Sequence, residues 1–518
     1  MDSKKQKPLG PNMMEIMADY NKAINFFHQT PAEVWETLGE KNALSLFDEI
    51  NSKIPGYKKF LHDHDFDSAS VKSIDDFKNI PVVDKYNYIQ KYGFNDVNTA
   101  QAGDHLYCFL LSSGTIDDPT IWSRNFQYEE TILPMVCDNY FRLYWNLDKK
   151  SSLIINAIAL GPWNAGFTMH AALRPLTQKY NLTLATNGAE LESIIYTIKK
   201  LSPYYDQTII FSYTTFHRTI LERLEQENID IRKLNLKLFT GGEGCTVEWV
   251  KYINEMISGN PENLTAIVDG YGTSEGSLLG MGSALTSLVR NLASKNKELC
   301  KELFGRTDSI PNLFQYAPAS FFIEEVKGEV IFTSKSTAPL VRYNLHDRGG
   351  IIKFRDMEKI LSDHGYDYKK LIKAQGLPEE IVWQQPFVYC FGRRDDTVSV
   401  CGAKIFPEQI APALFNEEIK DIHSFKLATG FDEKQHQYFY VLLELRQGLT
   451  YDTAEMKKKI KFYHDIILKR LKNASIDYAS AYLIDKKIAD PNIQIFENGK
   501  GPFEEDLART KPKLLFVK

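Results

Sequence analysis

Between Ser152 and Val268 the chain alternates short apolar runs with longer amphipathic segments, and this alternation restricts the fold more than any other feature. Ser152–Leu160, Leu182–Leu184, Thr208–Phe211, Leu236–Phe239 and Ala266–Val268 have the length and apolar content of buried strands. Helical patterns near 189–201, 214–226 and 246–258 separate them, and Gly161–Gly166 reads as a turn into a further helix containing His170. A repeat of this kind predicts an α/β fold, a mainly parallel sheet covered by helices. Ligands of such sheets collect beyond the carboxyl ends of the strands. Three turns fall there: Gly161–Gly166, Gly241–Gly244 and Asp269–Gly276.

A chain of 518 residues with 43% hydrophobic content is too long for one core and rich enough to fill two or three lobes. A formal net charge of −5 with interspersed signs leaves no broad basic field, which argues against nucleic acid or anionic lipid as principal partner. The six cysteines, Cys108, Cys137, Cys245, Cys300, Cys390 and Cys401, form no Cys-x-x-Cys pair or regular spacing, so reduced thiols and a cytoplasmic location are expected. Neither a signal sequence nor a membrane span is expected.

Before the alternating region, residues 1 to about 40 read as a polar lead and a helix, followed by an amphipathic helix from Leu44 to Leu61 interrupted at Pro55. Val71–Lys85 reads as a short helix stopped by Pro81. In Tyr107–Trp122 two strand-like runs flank Ser112, Ser113, Gly114 and Thr115, whose hydroxyls and backbone N–H groups suit an anion. Beyond residue 320 the strands shorten: Ser320–Ile323, Gly328–Thr333, Pro339–Tyr343 and Gly350–Phe354 predict a small β subdomain, with Arg342–Asp347 between two of its strands. After Phe391-Gly-Arg-Arg-Asp-Asp396 a β-prone run and Phe406-Pro407 mark a domain boundary and a helix start. The remainder reads as a compact α+β lobe: Ile422–Ala428, Phe439–Leu445, a helix near 452–471 and the apolar run Ala481–Ile484.

The densest chemistry lies in Thr265–Gly276, where a strand-like run meets two glycines, an aromatic, hydroxyls and carboxylates. Gly270 and Gly272 would let the backbone turn and approach a ligand, Tyr271 offers a flat face to a purine, and Thr273, Ser274 and Glu275 offer oxygen to phosphate and Mg²⁺. Trp163, Phe167, Phe211 and Tyr213 are candidates for an apolar acyl pocket. His170 and His217 are read as packing or surface residues without a proton-transfer role.

The order of these stretches resembles the adenylate-forming synthetases that activate carboxylic acids with ATP, specifically their phenylacetate–CoA ligase-like branch. The carrying residues are Val71–Lys85, Ser112–Thr115 with Pro119-Thr120, Gly241-Gly-Glu243, Tyr271–Glu275, Arg342–Asp347 and Gly392–Asp396 leading to Gly402 and Phe406-Pro407. The resemblance covers most of the chain from about residue 44 onward, leaving 1–43 as an N-terminal helical extension. It implies a large N-terminal domain at 44–394 including the β subdomain at about 320–390 and a mobile C-terminal domain at 396–518 turning about a hinge at Asp395. It implies adenine on Tyr271 beside Gly242 and Glu243, ribose on Asp347 and Arg393, phosphate at Ser112–Thr115, Gly272 and Ser274, and Mg²⁺ on Glu275. Gly402 would border the path of the incoming thiol. The implied reaction joins an acid to ATP as acyl-adenylate, releases pyrophosphate and passes the acyl group to a thiol, coenzyme A before others. Transfer to an acyl-carrier protein or an amine, and a homologue that holds nucleotide without turnover, are the alternatives.

Two departures matter. The catalytic lysine is expected at Lys511, with Lys500 and Lys513 as rivals, and Thr510 stands where the family has glycine. Ile116-Asp117-Asp118 replaces the Thr-Gly-Lys that follows Ser-Gly-Thr elsewhere, removing a flexible residue and a cation from the phosphate loop and adding two carboxylates. No cysteine–histidine metal cluster is expected.

Overall fold

The structure is a computed structural model and describes residues 13–98, 108–111, 120–124, 128–161, 164–307, 309–335, 338–393, 398–415 and 419–508. Ser112–Thr115, Trp163, Asp395, Lys511 and Lys513 lie outside the described residues, and Arg393 is described by its backbone.

A short antiparallel hairpin, β1 (Phe109–Leu111) and β2 (Ile121–Ser123), flanks the hydroxyl-rich segment. The main sheet follows. Strands β3 (Ser152–Asn156), β4 (Leu182–Ala185), β5 (Gln207–Tyr213), β6 (Leu236–Gly241) and β7 (Ile267–Thr273) pair in parallel. Successive side chains of these strands enter different cores. Leu153, Ile155, Ile210 and Leu238 meet the helices Leu191–Leu201, Thr214–Gln226 and Val247–Ser258 on one face. Ile154, Ile209, Phe211 and Phe239 join the larger core on the other, where Phe141 and Trp145 of the helix Leu133–Trp145 pack. Because both faces are covered, each strand reads as an unbroken apolar run. Thr246 caps the helix Val247–Ser258 by accepting from Trp249 N–H, and Gly259 in the left-handed region ends it.

Antiparallel strands extend the same sheet: β8 (Ser277–Met281), β9 (Asn312–Gln315), β10 (Phe322–Val326), β11 (Glu329–Ser334), β12 (Leu340–Ile352) and β13 (Phe387–Arg393). The full order of this eleven-stranded mixed sheet is β10-β11-β12-β13-β9-β8-β7-β6-β5-β3-β4. The α/β class is as expected, and the β region beyond residue 320 is the antiparallel end of the large sheet, joined to it through β8 and β9. Two expected strands at 339–343 and 350–354 are one 13-residue strand, with Arg342 and His346 at φ 51° and 61° inside it.

Toward the N-terminus a helix Ala32–Lys53 runs unbroken through positions 43 and 44, and Ala32, Ala43, Phe47 and Ile50 all belong to the main core. The division expected there therefore falls inside one element. Pro55 starts a separate helix, Pro55–Asp63.

The C-terminal lobe has its own core. A hairpin of β14 (Val398–Val400) and β15 (Ala403–Ile405) leads to the helix Pro407–Leu414, started by Pro407. Strands β16 (Ile422–Phe431), β17 (Gln437–Leu445) and β18 (Pro491–Phe496) form its sheet, with β18 parallel to β17. Asp452 caps the helix Thr453–Ala474 by accepting from Ala454 and Glu455 N–H. Ala481–Ile484 closes the helix Ile476–Ile484, while the third strand comes from Pro491–Phe496, which the sequence reading passed over.

The lobes touch along the helix Thr214–Gln226. Arg218 Nε donates to Lys434 O at 2.9 Å, Thr219 bonds Asp485, and His436 Nε2 lies 2.9 Å from Glu222 Oε2.

Candidate active site

A cavity of about 530 Å³ opens at the carboxyl ends of β6 and β7, walled on its far side by the C-terminal lobe. Gly241 ends β6 and Gly242 follows it; Gly270, Gly272 and Thr273 come from the end of β7 and Ser274 and Glu275 from the turn after it, Asn344–His346 from β12, and Cys401–Lys404 from the hairpin of the smaller lobe.

The glycines of β7 serve a different purpose from the one expected. Gly270 and Gly272 lie within the strand and neither takes a positive φ. A Cβ on Gly270 would stand 2.7 Å from the Phe239 ring, so glycine there permits close packing of neighbouring strands rather than a turn. The turn itself is Ser274–Gly276, between the paired residues Thr273 and Ser277. Thr273 Oγ1 accepts from Gly276 N–H at 2.9 Å, and Asn164 Nδ2 donates to Thr273 O at 3.1 Å. Asp269, earlier in the strand, is held by Arg290 at 3.7 Å and faces the interior, where burial pushes its carboxyl pKa up.

Tyr271 and Asp347, 76 residues apart, meet: the tyrosine hydroxyl donates to Asp347 Oδ2 at 2.6 Å. The Tyr271 ring stacks on Phe314 with centroids 5.4 Å apart, and Asp347 pairs in strand register with Arg393. These residues adjoin the cavity walls without forming them, the walls being their neighbours Gly272 and His346.

Glu243 faces the other lobe. Its carboxylate accepts from Thr215 N–H at 3.1 Å, Thr215 Oγ1 at 2.8 Å and Gly402 N–H at 2.7 Å, while burial raises its pKa against those bonds. Gly402 sits at φ +80° with its backbone against the Tyr213 ring, where a Cβ would come within 2.5 Å. The contact admits glycine alone on both counts.

The expected acyl-pocket residues separate. Tyr213 lines the cavity, its hydroxyl accepting from Ala159 N–H at 3.2 Å. Phe211, at 0% exposure, is a core residue stacked on Phe239 at 4.9 Å. It stands behind the wall residue Phe239 and outside the cavity walls; Phe167 also lies outside them. The apolar walls are Ile158, Ala165, Met169, Phe239 and Leu278 instead. Lys85, His346 and Lys404 also stand at the walls; residue type alone singled out none of them, and the signals were the inclusion of Lys85 in Val71–Lys85 and of His346 in Arg342–Asp347. Lys500 is exposed in the turn after β18 and stands outside the cavity walls. His217 is buried, its Nε2 3.0 Å from Phe239 O, and burial lowers its pKa to about 4, so it is neutral and structural.

All six cysteines are free thiols. No helix among the described residues is long and apolar enough to cross a membrane.

No protein-family model matches this chain, and no curated protein matches it. Solved structures do. The chain is similar to 2-hydroxyisobutyryl-CoA ligase in complex with 2-HIB-AMP and CoA in the thioesterification state, with a TM-score of 0.60 and 13% identity over 95% of this chain and 91% of that one. Against the same ligase in the postadenylation state with 2-HIB-AMP the TM-score is 0.51, at 13% identity over 95% and 90% of the two chains. Against its open conformation with 2-HIB-AMP and CoA it is 0.50, at 12% identity over 94% and 93%. At these identities the likeness shows the fold alone: an α/β domain built on a large mixed sheet and followed by a small α+β lobe.

Proposed function

We propose that this chain activates a small carboxylic acid with ATP as an acyl-adenylate, releasing pyrophosphate, and then passes the acyl group to a thiol of the coenzyme A class. The observation that carries this reading is the convergence of the β6 turn, the Gly270–Glu275 segment, Asn344–His346 and Gly402 on one cavity between two lobes. A carboxylate is already a nucleophile, so such a site needs alignment and charge compensation more than a proton-abstracting triad.

In this reading Tyr271 takes adenine, Asp347 and Arg393 the ribose, and Ser112–Thr115 with Ser274 the phosphates. Thr273, Ser274 and Glu275 present hard oxygen donors at the wall, a set that fits Mg²⁺. Magnesium bound there would neutralise charge on the phosphates. Lys511, or its rivals Lys500 and Lys513, would complete the first half-reaction, and residues 394–397, with Asp395 as hinge, would let the C-terminal domain turn between the two. The walls Ile158, Met169, Phe239 and Leu278 favour a medium apolar or aromatic acid. Docking of Gly402 on Tyr213 and Glu243, together with the higher score against a thioesterification state, supports a lobe arrangement suited to the second half-reaction.

Pyrophosphate release measured across a panel of acids, with and without coenzyme A, tests the proposal. Release with some acid, lost in Asp347→Ala and Lys511→Ala, is the expected result; ATP binding without adenylate formation for any acid would favour the nucleotide-holding alternative, which the Asp117-Asp118 sequence permits. Acyl transfer to an amine or a carrier protein in place of coenzyme A would redirect the second step alone.

A further inference from the structure

Immediately after β2, the Arg124 side chain is buried with that of Glu129, at 0% and 1% exposure. One end of the guanidinium, Nη2, bonds Glu129 Oε1; the other, Nη1, donates to the main-chain oxygen of Ser274 at 2.8 Å, across 150 residues of sequence. Burying two opposite charges costs several kcal/mol per ion before their attraction is counted, and an apolar pair of similar volume is often as stable. Stability alone does not account for the pair. Its distinctive product is a rigid donor delivered to a carbonyl at the place where β7 leaves the sheet.

Between Thr273 and Ser277 the backbone has no ladder partner, so side chains must fix the turn. Among the described residues three side chains do so, each from a different part of the chain: Asn164 holds Thr273 O, Thr273 Oγ1 holds Gly276 N–H, and Arg124 holds Ser274 O. Only the last is charged, and Glu129 fixes its fork from behind. Arg124 Nε and Glu129 Oε2 find no hydrogen-bond partner among the described residues, so the pair accepts unsatisfied atoms to keep this geometry.

We propose that Arg124, oriented by Glu129, is a positioning residue that sets the Ser274–Glu275 turn for Mg²⁺-bound nucleotide. The inference rests on the adenylation reading and deepens it. Arg124→Lys keeps a cation beside Glu129 and removes the planar fork that reaches both partners. A second variant, Arg124→Met with Glu129→Leu, removes both charges together and avoids stranding either.

Calorimetric titration of ATP into each protein over a Mg²⁺ series, alongside pyrophosphate-release kinetics, is the test. Both variants are expected to need about tenfold more Mg²⁺ for half-saturation, the loss of one charge-assisted hydrogen bond, with the KM for the acid unchanged and melting within about 3 °C of wild type. Wild-type Mg²⁺ dependence in either folded variant overturns the inference, and so does collapse of both, which would make the pair a stability element alone. A wild-type chain that binds Mg²⁺-ATP without releasing pyrophosphate would defeat the ligase reading while leaving the binding arm to decide on Arg124. Failure of the wild type to bind ATP at all would overturn both.

Discussion

Asp421 shows how far a single side chain can be pulled from its ordinary chemistry. Burial by itself would raise its pKa, but the Lys459 ammonium at 2.6 Å and the hydroxyls of Tyr451 and Tyr463 outweigh that and hold it at about 2. A depressed carboxylate contributes stability that is present above the unfolded pKa, near 3.8, and lost as pH falls toward the folded value near 2. The amount is roughly 2 kcal/mol. Asp421→Asn should therefore lower the melting temperature of the C-terminal lobe at neutral pH and flatten its fall between about pH 4 and pH 2, read by circular dichroism across a pH series. Nothing in the residues around position 421 announced this. The partners stand 30 to 42 positions away on an adjoining helix and its lead-in.

Strand β12 illustrates the same dependence for an element. Arg342–Asp347 reads as a polar turn because it offers Asn344, His346 and two glycines shortly after, yet the flanking strands β11 and β13 claim the whole length Leu340–Ile352. Arg342 turns inward, placing Nε 3.1 Å from Glu324 Oε2 and donating to the carbonyls of Lys78 and Ile80. Val83 then joins the strand as a bridge, its N–H 3.0 Å from Arg342 O, so the segment carrying Lys85 is fastened beside the cavity. Arg342→Ala would strand a buried carboxylate, and a loss of about 3–5 kcal/mol is expected. Denaturant unfolding of the variant measures it; a change below about 1 kcal/mol would show that Glu324 finds other relief. The parallel strands were legible because local apolar runs suffice where helices cover both faces. β12 was not, because its partners are supplied from far along the chain.

At the scale of the whole molecule the two lobes share one wall. With Gly402 pressed on Tyr213, a methyl group there has no room and the positive φ strains any other residue. Under the proposed reaction, in which the C-terminal lobe would turn between two arrangements, Gly402→Ala is expected to spare pyrophosphate release and to slow acyl transfer to coenzyme A by at least about tenfold, since the clash would act on one arrangement only. Separate single-turnover measurements of the two steps decide it, and an equal loss in both would place Gly402 elsewhere in the reaction. His436 joins Glu222 of the larger lobe at 2.9 Å to Asp432 of its own lobe at 2.8 Å through its two ring nitrogens, a polar link across the lobe boundary.

The sequence by itself determined the layered α/β core, the breaks at Pro55 and Pro407, and the places where glycine, hydroxyl and carboxylate gather, because periodicity and turn chemistry act over a few residues. Only the tertiary structure decided that Phe211 packs inward while Tyr213 faces the cavity, that Gly270 makes room for Phe239, and that Tyr271 meets Asp347. It also decided that Arg124 reaches Ser274 and that Glu243 receives Gly402 from 159 residues away. Those contacts are set by strand register and lobe docking, which sum the packing of the whole chain and leave no local trace.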